Sequence, residues 1–255
     1  MTRPVLALAR RALRNIARRP QFAAPLLVMP SLFLAVNVGG LSHSTELPGF
    51  PAVSSFLDFQ LAGAMTQSLM LGGVSAGIAT ALEIEAGFFD RLVVAPIPRV
   101  AIVLARLVAA SVVAVAQVLW FLAVGWIFGA HVEGGVLGVL LILLIGTLAG
   151  VGFGAIGVTI ALRARNASTV QGIFPIVLVV LFVSSAWFPQ GLLQAPADAI
   201  AEYNPLSYIA DGLREPIVSG VSATATVDGI VAALGIAVVM TGLCVVSLRT
   251  RLREP

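Results

Sequence analysis

Long apolar runs separated by short polar stretches are the dominant pattern of the chain. A helix rises about 1.5 Å per residue, so an apolar run of about eighteen residues or more can cross the hydrocarbon core of a bilayer. The runs predict an all-α polytopic membrane protein with six spans, at residues 22–41, 60–82, 102–128, 135–162, 170–188 and 228–248. Pro175 is expected to bend the fifth span, and Arg106 to snorkel from the third toward the cytosolic surface.

Residues 1–20 have a different, amphipathic pattern. When they are projected at about 100° per residue, Val5, Leu13 and Ile16 lie on one side and most of the arginines on the other. This pattern predicts an interfacial helix whose cations face anionic headgroups. A cleaved secretory signal is the alternative, but the basic region is long and residues 37–43 make a poor cleavage site.

The arginines also predict the orientation of the spans. Six spans place successive connecting segments on opposite sides of the membrane. Fourteen of the fifteen arginines then lie on one side, and only Arg214 lies on the other. By the positive-inside rule, both termini and residues 83–99 are expected in the cytosol. Residues 42–59, 129–134 and 189–227 are then expected outside.

The segment Glu83–Arg99 reads Glu-Ile-Glu-Ala-Gly-Phe-Phe-Asp-Arg-Leu-Val-Val-Ala-Pro-Ile-Pro-Arg. Its charged side chains would each cost about 2.5 to 3.5 kcal/mol at the bilayer midplane, so it should lie outside the hydrocarbon. Ile84, Phe88 and Leu92 recur at four-residue spacing and predict one helix face, which should end at the two prolines. A plain solvated loop is the simpler interpretation of this segment taken alone.

The outer segment 189–227 contains a helix start, with Asn204 as N-cap and Pro205 as first helical residue. Apolar residues at helical spacing follow, which predicts a short helix that dips into or lies on the outer leaflet. Asp211 and Arg214 are three residues apart on it and could form an ion pair, although an exposed pair would contribute only a few tenths of a kcal/mol.

Composition narrows the chemistry. Hydrophobic residues make up 59% of the chain and charged residues 11%, and there is no lysine, which excludes a Walker-type nucleotide loop. Cys244 is the single cysteine and His43 and His131 are the only histidines, so no metal site is expected. The distribution of the arginines on one side of the membrane explains the high pI of the chain better than nucleic-acid binding does, so no nucleic-acid partner is expected. Gly146, Gly150 and Gly154 predict close helix packing within the protomer rather than a dimer seam.

This combination resembles the permease subunit of ABC-2 type ATP-binding-cassette exporters, a group that includes resistance permeases of the daunorubicin type. The resemblance covers essentially the whole chain. It is carried by the amphipathic start, the six spans, the cytosolic motif Glu83–Arg99, and the outer Asn-Pro-Leu-Ser-Tyr at 204–208 followed by Asp211 and Arg214.

The resemblance implies a division of roles along the chain. The cytosolic segment would dock on an ATPase subunit through Glu83, Glu85, Gly87, Phe88, Asp90, Arg91, Leu92, Pro96, Pro98 and Arg99. Outer re-entrant helices would cap the exit and contain Asn204, Pro205, Asp211 and Arg214. A pathway between two permease protomers would be lined by Thr66, Gln67, Ser75, Ser184 and Ser185.

The same resemblance implies the partners and the location. Two ATPase subunits would bind ATP and Mg, this chain would hold no cofactor, and the permeases would pair as a homodimer or heterodimer in a bacterial cytoplasmic membrane. The cargo would be a hydrophobic or amphipathic compound, with a polysaccharide or glycolipid as the alternative. A secondary transporter or a membrane-assembly protein is a further alternative, but no span has a central acidic residue or histidine for ion coupling. An intramembrane enzyme is not expected, because no nucleophile and base come together.

Overall fold

The computed structural model describes residues 2–18 and 20–251, which form an all-helical protein without strands in that part of the chain. Arg19 and Arg253, both counted for the predicted orientation, lie outside the described residues. The helices are α1 (Thr2–Ala17), α2 (Pro20–Leu41), α3 (Phe56–Glu85), α4 (Phe88–Val94), α5 (Arg99–Ile127), α6 (Gly135–Ala164), α7 (Ala167–Gln171), α8 (Phe174–Phe182), α9 (Ala197–Tyr203), α10 (Pro205–Val218) and α11 (Ala223–Arg251). Short 3-10 turns occupy Ser42–Glu46 and Gln190–Leu192.

Five helices of the described chain, α2, α3, α5, α6 and α11, are long and apolar enough to cross a membrane. They cover five of the six predicted spans, so the protein is a multi-pass membrane protein, but the six-span count is not confirmed. The predicted fifth span is instead divided between the short helices α7 and α8. Pro175 lies in the first turn of α8, where its missing N–H costs no hydrogen bond, and the interruption between α7 and α8 comes directly before it.

Helix α3 is the centre of the bundle and packs against α2, α5, α6 and α10. Ser55 caps its start by accepting a hydrogen bond from the N–H of Asp58 at 3.2 Å. Its crossing with α6 depends on glycine, because a Cβ at Gly157 would lie 2.0 Å from the carbonyl oxygen of Gly73. The two backbones therefore touch at this crossing, as small residues allow in membrane helices.

The predicted glycine stripe of α6 is confirmed as a packing face within the protomer. It lies against α5, and Cβ atoms added at Gly146, Gly150 and Gly154 would meet Val118, Ala114 and Ala110. The sequence interpretation did not include the glycines of α3, although they allow the closer of the two crossings.

The basic segments gather at one end of the bundle. Arg11 of α1 reaches Glu83 at the end of α3, and Glu85 accepts a hydrogen bond from the N–H of Ala167 after α6. Arg251 at the end of α11 lies 3.5 Å from Asp90 of α4. Helix α1, α4 and the end of α11 therefore lie at the same end of the bundle, as the predicted orientation requires. The membrane side that this end faces, and the interfacial position of α1, stay predictions.

Candidate functional site

The segment between α3 and α5 folds as a turn, a short helix and a proline-rich connection. Gly87 adopts a left-handed backbone (φ 66°), which a residue with a side chain rarely adopts, and α4 begins directly after it. Helix α4 ends at Val94 and the chain is extended at Ala95, so the predicted stop at the prolines is confirmed.

The predicted single helix face through Ile84, Phe88 and Leu92 is wrong. Gly87 separates Ile84 on α3 from the other two on α4, so a four-residue spacing across it no longer defines one face. Phe89, 1% exposed, is the buried aromatic residue of α4, and it packs in a cluster with Ile84 and with residues of α5, α6 and α11. Phe88 instead lies under the guanidinium of Arg11, 3.5 Å from the ring centre.

Glu83 joins three helices. Its Oε1 accepts a hydrogen bond from Nη1 of Arg11 at 3.0 Å, and its Oε2 accepts one from Nη2 of Arg106 on α5. We call Arg11, Glu83 and Arg106 the Glu83 cluster. Arg106, predicted to snorkel toward water, pairs with Glu83 instead, and its side chain is only 12% exposed. Glu83 therefore fastens α1 to the α3–α5 hairpin.

The predicted coupling residues divide into two groups by exposure. Glu83, Gly87, Phe88 and Leu92 are partly buried, whereas Glu85, Asp90, Arg91, Pro96, Pro98 and Arg99 are exposed. Val94, which was not among the predicted residues, is 85% exposed beside them. The exposed residues of α4 and its connection, Asp90, Arg91, Val94, Pro96, Pro98 and Arg99, form what we call the α4 surface.

At the opposite end of the bundle, Arg214 of α10 is buried with 8% exposure. It donates to the carbonyl oxygens of Phe59 (3.2 Å), Ser185 (2.9 Å) and Ala186 (2.8 Å), and it forms an ion pair with Asp211. Its guanidinium also lies 3.9 Å from the centre of the Phe59 ring. The predicted pair of Asp211 and Arg214 is therefore present, and the interpretation as a plain exposed ion pair is wrong. We call these five residues the Arg214 network.

Asn204 supports the same region. Its Oδ1 accepts the N–H of Leu206 at 3.0 Å, which confirms the predicted N-cap of α10. Its Nδ2 donates to the carbonyl oxygens of Val180 (2.9 Å) and Val183 (3.3 Å) at the end of α8. One amide thus caps the start of α10 and the end of α8. Side chains satisfy the irregular backbone after α8, as is required wherever helices break inside a membrane protein.

Four of the five predicted pathway residues are buried inside the protomer, and the fifth, Ser75, lines a cavity. Ser184 donates to the carbonyl of Leu181 and Ser185 to Asp211, and both are buried. Thr66 and Gln67 are also buried, and Ser75 lines a cavity beside the Glu83 cluster. These positions do not test a pathway that forms between two protomers, and the pathway assignment stays a prediction.

Comparison with known proteins decides the family. The sequence profile described as "ABC-2 type transporter" matches residues 3–218. The chain belongs to the ABC-2 type transporter family. Members are membrane subunits that are not themselves catalytic and that normally work with an ABC ATPase.

Two relatives illustrate the range of this family. The daunorubicin resistance ABC transporter permease protein DrrB1 of Streptomyces coeruleorubidus is 27% identical over 213 residues, which cover 80% of this chain and 71% of the relative. A putative transport permease, ycf38, of Pyropia yezoensis is 26% identical over 221 residues, which cover 82% of this chain and 72% of the relative. The ABC-2 family assignment made from the sequence is confirmed.

Sequence reasoning missed the Glu83 cluster and the second role of Asn204. A signal for the first was present, because Arg106 stands inside a long apolar run and Glu83 at the end of another. A charge in such a run needs a partner of opposite sign. The geometry of the break after α8 was not readable from sequence, so nothing indicated which carbonyls Asn204 would reach.

Proposed function

We propose that this chain is the permease subunit of an ATP-driven exporter and that its α4 surface docks on the ATPase. The observation that carries the proposal is that this surface is exposed, charged and joined to two long helices, α3 and α5, while its inner side is packed around Phe89. A docked partner that moves would therefore displace α3 and α5 as rigid bodies. The other predicted coupling residues hold this surface in place.

The cargo we propose is a hydrophobic or amphipathic compound, moved out of the cell. This choice is supported by the relative DrrB1, which is named for daunorubicin resistance. Two permeases, identical or different, would assemble with two ATPase subunits that bind ATP and Mg. The basic end of the bundle would face the cytosol of a bacterial cell. The pathway between protomers would be lined by Thr66, Gln67, Ser75, Ser184 and Ser185.

The test is co-purification with the ATPase that is encoded nearest to this chain. Arg91→Glu and Val94→Glu change exposed residues of α4, and we expect each to lower the yield of complex at least several-fold without lowering the yield of folded permease. Glu46→Arg, an exposed charge reversal at the opposite end, is the matched control. Vanadate-sensitive transport by the Arg91→Glu and Val94→Glu variants with the ATPase should fall below that of the wild-type pair in parallel with complex yield.

Two results would contradict the proposal. One is a wild-type permease that forms no complex with that ATPase and supports no vanadate-sensitive transport. The other is transport that persists without ATP and collapses with the proton gradient, which would instead favour a secondary transporter.

A further inference from the structure

A cavity of about 340 Å³ lies between α1, α2, α3, α5 and α6, at the basic end of the bundle. Its α3 wall extends from Leu69 to Glu83, fifteen residues that span about 21 Å of helix. Helix α1 covers it with Arg11, Ala12, Asn15 and Ile16. The cavity is therefore a long groove beneath the amphipathic helix, and its volume is within the usual range of ligand sites, about 300–1,000 Å³.

The groove is polar at its mouth and apolar along its length. Arg11, Glu83 and Arg106 are at the mouth, and small apolar side chains of α3 and α5 follow, among them Ala76 and Ala110. Gln117 lies near the inner end, where its side-chain Nε2 donates a hydrogen bond to the carbonyl oxygen of Ser68 at 2.7 Å. A ligand that fits this pattern has a polar group at one end and a narrow hydrocarbon chain behind it.

The charges at the mouth select an anion. Both carboxylate oxygens of Glu83 already accept hydrogen bonds from the two arginines, one from each. A guanidinium has five N–H donors, so both arginines keep donors beyond the one given to Glu83. The cluster carries two positive charges against one negative charge. A phosphate would meet donors and net positive charge there, whereas a cation would find the carboxylate engaged.

We propose that this groove binds one acyl chain of an anionic phospholipid, whose phosphate contacts Arg11 and Arg106 beside Glu83. Charge complementarity and the length of the groove argue for this occupant. So does the position beneath α1, whose exposed arginines Arg3, Arg10 and Arg14 lie on the same helix. The lipid would fill the space between α1 and the α3–α5 hairpin. This site does not depend on where an ATPase docks or on what is transported.

The experiment uses purified full-length permease in nanodiscs of equimolar dioleoyl-phosphatidylglycerol and dioleoyl-phosphatidylcholine. The protein is extracted in mild detergent, and the lipids retained per chain are counted by native mass spectrometry. We expect wild-type protein to retain phosphatidylglycerol in preference to phosphatidylcholine. Equal retention of the two lipids would overturn the proposal.

Two kinds of variant separate the groove from the charged outer face of α1. Ala76→Leu fills the apolar part of the groove and should lower phosphatidylglycerol retention about tenfold. Ala116→Leu is the same change on the exposed face of α5 and should leave phosphatidylglycerol retention unchanged. Arg11→Gln should remove the preference for phosphatidylglycerol while phosphatidylcholine retention stays the same.

Retention of the wild-type amount of phosphatidylglycerol by folded Ala76→Leu would place the lipid on the outer face of α1 and overturn the proposal. If that variant does not fold, Ala79→Leu, nearer the mouth of the groove, provides the same test. A retained compound that is not a phospholipid would also overturn the assignment.

Discussion

Replacing Arg214 with glutamine tests whether the Arg214 network holds the outer end of the bundle together. The arginine uses four of its five N–H donors, three on backbone carbonyls and one on Asp211. Glutamine can keep at most one or two of these hydrogen bonds. Removing one member of a buried charged network costs about 3–5 kcal/mol, and we expect Arg214→Gln to lower the free energy of unfolding by that amount.

The same geometry predicts an asymmetry within the ion pair. The Asp211 side chain is 43% exposed, asparagine keeps an oxygen that can accept from Arg214, and the three backbone carbonyls still accept from the arginine, so Asp211→Asn should cost less than Arg214→Gln, about 1–2 kcal/mol. Arg214→Lys keeps the charge but not the planar fork, and its effect should be intermediate. Arg249→Gln, an exposed arginine at the end of α11, is the control.

The measurement is reversible unfolding of the purified protein in mixed detergent and SDS micelles, followed by circular dichroism. Binding of the ATPase by the folded fraction should be unchanged, because the network lies at the other end of the bundle. The Arg214 network would not hold this end together if the free energy of unfolding of Arg214→Gln were within about 1 kcal/mol of wild type, or if Asp211→Asn were as destabilising as Arg214→Gln.

Two further predictions use the same unfolding measurement. Gly157→Ala should destabilise the protein by about 1–3 kcal/mol or more, because its Cβ would meet the α3 backbone. Gly235→Ala on α11, where no atom lies within 4 Å of the new Cβ, should stabilise the protein by about 0.5–1 kcal/mol. Equal effects of the two changes would contradict the crossing of α3 and α6 at Gly157. Asn204→Asp keeps the cap of α10 but loses both hydrogen bonds donated to α8, and it should lower the free energy of unfolding by about 1–3 kcal/mol. Asn204→Ala also loses the cap and should cost about 1 kcal/mol more. An unchanged free energy of unfolding in Asn204→Asp would mean that the bonds to α8 contribute nothing.

The long spans were readable from sequence because each depends on one property, the length of an apolar run. The region from 170 to 188 has the same composition, yet it forms two short helices and a turn. Its irregular backbone depends on partners distant in the chain, namely Gln60, Asn204 and Arg214. An apolar run alone gives no information about such partners, so a continuous span over 170–188 was the natural expectation, and the structure does not confirm it.

The candidate sites were predictable in part. Asn204 as an N-cap and the pairing of Asp211 with Arg214 follow from local spacing, and both are present. The role of Glu83 could not be derived from its own segment, because its partners come from α1 and α5. The family resemblance implied a docking residue, whereas the structure gives this carboxylate two arginines of its own chain.

Helix α3 connects the two sites. Glu83 and Glu85 stand at one end, and Phe59 and Gln60, which contact Arg214 and the carbonyl of Trp187, stand at the other. About 35 Å of helix separates the two ends, and most of it is packed against α6 and α10. A displacement of the α4 surface would therefore reach the turn after α8 through one continuous helix.

This arrangement predicts that Glu83 and Glu85, two residues apart, behave differently when their charges are removed. Glu83, 17% exposed, neutralises Arg106, whose side chain is only 12% exposed, so Glu83→Gln should cost about 3 kcal/mol and free α1 from the hairpin. Glu85 is exposed and accepts one N–H, so Glu85→Gln should cost about 1 kcal/mol or less. Protease cleavage after the arginines of α1 should become faster only in Glu83→Gln. Equal stability and equal cleavage of the two variants would show that Glu83 does not fasten α1.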